Sequence, residues 1–168
     1  MARWLYLLSA FTVLAAWAGA QNPAPPLSPE DKLRLLQANS TLIDNLVRDG
    51  VALSAADTHE DRAARCRSAS LALANEIQKA ATADDAERVA ELTDLFRDVV
   101  KDGLVPTITD GLSAVNPVSP AAVKLREVRG EAVRDVTNVK TATGKWAANP
   151  RVRDALKQLD EAAAPLQR

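Results

Sequence analysis

Apolar residues recur at steps of three and four along most of this chain, and no stretch sustains an alternation of period two. That periodicity predicts helices throughout and no sheet. After a proline-rich opening, Ser28-Pro29-Glu30-Asp31 gives a helix start, with Ser as N-cap, Pro at the first helical position and acids in the first turn. The apolar stripe of this first helix is Leu33, Leu36, Ile43, Leu46 and Val47, widened by Leu35 and Leu42; it ends at Gly50 or runs on to Ala55. A second helix is expected from Thr58 to Ala81, capped by Asp57 with Glu60 three residues later. Its apolar face is Ala63, Cys66, Ser70, Leu73 and Ile77, small near the start, where a neighbour can approach closely.

Thr82-Ala83-Asp84-Asp85 caps a third helix, with Val89, Leu92, Phe96 and Val99 inward and Leu95 and Val100 beside them. Its acids lie near the N-terminus, and Arg97 and Lys101 lie near the C-terminus, both favourable to the helix dipole. Gly103 and Pro106 are expected to end it near Lys101. Residues 104–118 fit either a loop or a short helix. Ser119-Pro120 opens a fourth helix carrying Val123, Val128, Ala132, Val136 and Val139, interrupted by Gly130 and ended by Gly144. Asn149-Pro150 starts a last, shorter helix with Val152, Leu156 and Leu159, closed by Pro165. Short connections between long helices favour antiparallel neighbours. The expected fold is therefore an all-α, up-and-down helical bundle of four main helices plus a short C-terminal helix, spanning residues 29–164.

One internal echo stands out. Leu42-Ile43-Asp44-Asn45-Leu46-Val47-Arg48-Asp49-Gly50-Val51 resembles Leu95-Phe96-Arg97-Asp98-Val99-Val100-Lys101-Asp102-Gly103-Leu104 at a constant offset. It fits a duplicated helical hairpin, and it fits two unrelated helix ends that each finish with a basic residue and Gly.

The start of the chain changes how the composition is read. Arg3, an apolar stretch from Trp4 to Trp17 and the small residues Ala18-Gly19-Ala20 have the form of a secretory signal peptide over residues 1–20, cut between Ala20 and Gln21. Residues 21–28 read as a proline-rich linker. Cleavage would remove Trp4, Tyr6, Phe11, Trp17 and the one Met, leaving Phe96 and Trp146 as the only aromatics. It would also remove Arg3, so that 20 of the 21 basic residues face 22 acids, a net charge of −2. Such a mixed surface exerts no broad pull on nucleic acid or anionic lipid. The expected location is outside the cytoplasm, periplasmic or secreted, with no membrane span left after cleavage. Ala-, Arg- and Asp-rich usage is that of a GC-rich bacterial genome, which discounts the glycosylation pattern Asn39-Ser40-Thr41.

Candidate chemistry is sparse. His59, the one histidine, stands beside Glu60 and Asp61 and is the only candidate for a metal or ligand; the same residues are also what a helix start requires. Cys66 is the one cysteine, which excludes an internal disulfide. It fits a small buried residue, with an intermolecular disulfide or a redox role as the alternative. Two helical turns separate it from His59, roughly 10 Å, too far for a nucleophile–base pair on one helix. Arg62, Arg65 and Arg67 read as a solvated face, or as a dock for an acidic partner. No haem-attachment motif, phosphate loop, nucleophile elbow or zinc signature is present, so no catalytic residue and no cofactor is assigned and an enzyme is not expected.

Thr58-His59-Glu60-Asp61-Arg62-Ala63-Ala64-Arg65-Cys66, Leu73-Ala74-Asn75-Glu76-Ile77 and Arg88-Val89-Ala90-Glu91-Leu92 are similar to stretches of uncharacterised exported helical proteins of bacteria, over roughly residues 35–105. The resemblance implies the compartment and the helical fold, and no activity. The expected function is non-enzymatic: binding to a protein partner or to a second copy, with a small-ligand or metal-binding bundle as the alternative.

Overall fold

The computed structural model describes residues 28–167; the expected signal peptide and cleavage site (Ala18, Ala20, Gln21) and linker residues 21–27 lie outside them. The chain divides into two compact units, residues 1–38 and 39–168. Every regular element among the described residues is helical: α1 (Pro29–Ser54), α2 (His59–Thr82), α3 (Ala86–Asp98), a π-helical turn (Val99–Leu104), α4 (Val105–Ala114), α5 (Pro120–Thr143), a 3-10 turn (Gly144–Trp146), α6 (Pro150–Ala163) and a final 3-10 turn (Ala164–Gln167). None of the described helices is long and apolar enough to cross a membrane. The helical chain thus continues past the expected boundary at 164.

Side-chain caps set the helix starts. Thr58, rather than Asp57, caps α2: the Asp61 N–H donates to Thr58 Oγ1 at 3.1 Å, and the Thr58 hydroxyl donates to the Asp61 carboxylate at 2.9 Å. This reciprocal pair has the logic of a capping box, with Asp61 where Glu60 was expected. Asp85 caps α3, Ser119 caps α5 and Asn149 caps α6, whose Oδ1 accepts from Arg151 and Val152 N–H. Between α2 and α3, Asp84 takes a left-handed φ of 65°, and Asp85 N–H reaches back to Ala80 O at 3.0 Å. Asp tolerates this region better than most residues because its short polar side chain can bond locally.

The expected break near Lys101 does not occur. The chain passes from α3 through the π turn into α4 as one continuous rod, so residues 105–114 are helical and only 115–119 form a connection. The cause is Pro106, which lacks an N–H and crowds the carbonyl one turn back. A wide turn, in which Val105 N–H bonds to Val100 O, absorbs that misfit without ending the helix. Gly130 likewise lies inside α5 without interrupting it.

The core is aliphatic with one aromatic. Phe96, Leu73, Ile77, Leu92, Leu104, Ile108, Leu125 and Leu159 are fully buried. α2 is the central element, packed on α3, the π turn, α4 and α5, while α6 packs on α3. Leu125 fills the α5 position where Val123 was expected; Val123 is 46% exposed. Two glycines permit close approach: a Cβ on Gly111 would lie 2.8 Å from both His59 Cβ and Leu125 Cδ1, and one on Gly103 would lie 3.1 Å from Cys66 Sγ.

Candidate functional site

The first helix carries an inner and an outer apolar face, and the sequence stripe takes in residues of both. Among residues 39–54 the bundle buries Leu42 and Asp49, with Leu46 and Leu53 half-buried. Ile43, Val47 and Val51 stand outward at 42%, 60% and 66% exposure. These three are spaced by four residues, one turn apart, and form an apolar strip that stands exposed. Leu33, in the first unit, is exposed as well. The expected stripe is thus divided: Leu42 joins the core cluster and Leu46 packs against it, while Ile43 and Val47 stand in solvent.

Behind α1 lies a groove of about 400 Å³. Leu46 and Leu53 of α1, Cys66 and Ala69 of α2, and Val99 of the π turn give it an apolar floor. Its charged members are Asp49, Asp98, Asp102 and Arg65. Asp98 is paired with Arg97 at 2.7 Å. Asp49 is 8% exposed and has neither a hydrogen-bond nor an ion-pair partner among the described residues. The two Asp-Gly pairs of the internal echo, Asp49-Gly50 and Asp102-Gly103, both line this groove. The echo in the sequence therefore marks two segments that line one groove, and its constant offset is the sequence signal for them.

Cys66 sits in this wall, reduced and buried, with the π turn brought against it by Gly103. Burial pushes its thiol pKa up. A protonated, enclosed thiol is a poor nucleophile and a poor metal ligand.

The structure does not assemble the other candidate residues into a site. His59 packs against Gly111, and Asp61 is engaged with Thr58. Among the described residues, no three His, Cys, Asp or Glu side chains converge to hold a metal ion, His59, Glu60 and Asp61 included. The three arginines separate. Arg62 donates to Ala56 O at 3.0 Å, Arg65 faces the groove, and Arg67 bridges to Glu131 at 3.0 Å and Asp135 at 3.3 Å on α5. Arg67 thus ties two helices together rather than standing on a solvated face. Trp146 is half-buried against the core, its Nε1–H without a partner and its ring 4.9 Å from the Lys145 ammonium.

No family model matches this chain, and neither a curated protein nor a solved structure matches it.

Proposed function

We propose that this is an exported, non-enzymatic protein whose helices form an up-and-down bundle and which acts by association, with α1 as the contact surface. The supporting observation is the outward strip of Ile43, Val47 and Val51, apolar over two turns of a helix whose opposite face already holds the bundle. Isolated exposed hydrophobic residues are ordinary; a row of them at helical spacing is the kind of surface a second helix covers.

A second copy of the chain is the occupant this reading favours. Asp44 and Arg48 stand one turn apart on one edge of the strip. Two α1 helices related by a two-fold axis perpendicular to them run antiparallel and bring the same edges together, so Asp44 of one copy approaches Arg48 of the other. Export rests on the leader-like residues 1–20 and gives the protein a compartment in which such a surface would operate.

Sedimentation of the purified protein over a range of concentrations tests the reading, with Val47→Lys as the variant. Self-association that Val47→Lys abolishes supports it; a monomer throughout refutes the choice of a second copy.

A further inference from the structure

We propose that the groove behind α1 is a binding site for a small amphiphile carrying a protonated amine. The apolar body would lie on Leu46, Leu53 and Val99, and the ammonium would bond to Asp49.

Asp49 carries the argument. Asp49 is 8% exposed as a residue, but its carboxylate oxygens are not sealed in the core and keep contact with solvent at the groove. Here Asp49 lines an open groove and meets no donor of the protein. Its place at the groove wall leaves one of its acceptor directions for something that enters. The nearest cation of the lining, Arg65, makes no ion pair with it, and Arg65 is itself exposed. Asp102 on the opposite wall is exposed, with no partner among the described residues, so the groove presents more negative than positive charge to an entrant.

Size and lining restrict the ligand. A volume of about 400 Å³ lies at the small end of the range for small-molecule sites. Such sites are mostly apolar with a few placed polar groups, and this groove has that make-up. A carboxylate-bearing amphiphile would meet the charges of Asp49 and Asp102, and a neutral hydroxyl or amide could hydrogen-bond to Asp49 without offsetting its charge. A cationic head does both, bonding to Asp49 and offsetting the excess negative charge of the lining, and charge-assisted hydrogen bonds are about twice as strong as neutral ones. At Gly50 nothing lies within 4 Å of the ideal Cβ position, so no side chain closes the groove there. The site does not depend on the outer strip of α1, whose Val47 takes no part in the groove lining.

Isothermal titration of the purified protein with octylammonium and with octanoate tests the proposal on the unaltered chain. The expected result is one saturable site for octylammonium, with octanoate at least tenfold weaker. Asp49→Asn should weaken octylammonium about tenfold while leaving the helical circular dichroism unchanged. Ala69→Phe should abolish binding by filling the floor. Absence of saturable octylammonium binding, equal affinity for the two probes, or an Asp49→Asn variant that binds as tightly as the parent would each overturn it.

Discussion

Gly111 and Gly130 show how differently the same residue type can be used. At Gly111, the space a methyl group would need is held by His59 and Leu125, each 2.8 Å from the ideal Cβ position. Gly111→Ala should therefore destabilise the protein by about 1–3 kcal/mol through overpacking. At Gly130, on the helix interior of α5, nothing lies within 4 Å. Gly130→Ala should stabilise by about 0.5–1 kcal/mol, because alanine has less unfolded freedom to lose. Chemical denaturation of the two variants checks both signs together. His59 belongs to the first of these contacts, packed against the helix that carries Gly111. Cys66 behaves as a buried aliphatic group. Its raised pKa keeps the thiol protonated at neutral pH, so an aromatic disulfide reagent should label it only as the protein unfolds. Fast stoichiometric labelling of the folded protein would contradict that.

Helix starts were legible because a cap is a local arrangement. Ser119-Pro120 and Asn149-Pro150 place the starts of α5 and α6 within a residue, and the α2 cap is displaced by one position, from Asp57 to Thr58. Helix ends were less legible. Gly103 and Pro106 look like a stop in sequence, yet α3 runs through them by widening one turn, a solution supported by burial of Val100, Leu104 and Ile108 on both sides. The α1 stripe illustrates a second limit. Its periodicity shows that a face is apolar but cannot say which of two apolar faces the bundle takes. The α2–α5 junction was illegible for a related reason, since Arg67 and Asp135 are 68 residues apart. Burial raises the Asp135 pKa, partly offset by the Arg67 guanidinium. The folded protein thus holds the Asp135 proton more tightly than the unfolded chain. Its contribution is most favourable in acid and is lost as the pH rises from 3.8 through the displaced value. Asp135→Asn lacks that loss, so its melting temperature relative to the parent should climb across this pH window. A difference that stays flat or falls would contradict the assignment.

At the scale of the whole molecule, the described helices use one aliphatic core centred on α2, and α1 lies at its margin with an apolar strip facing out. The candidate chemistry read from the sequence gathers into no catalytic centre; what emerges instead is a groove and a strip on opposite sides of one helix. The groove is hidden in the sequence because its walls come from three separated segments. The strip is legible only in part: Ile43 and Val47 share one apolar stripe with Leu42 and Leu46, and periodicity alone does not separate the outward pair from the inward one. Cover of this strip by a second copy is open to equilibrium sedimentation of the purified protein and of Val47→Lys. The parent should form a concentration-dependent dimer and the variant a monomer of unchanged helicity. A parent that stays monomeric at every concentration would rule the second copy out.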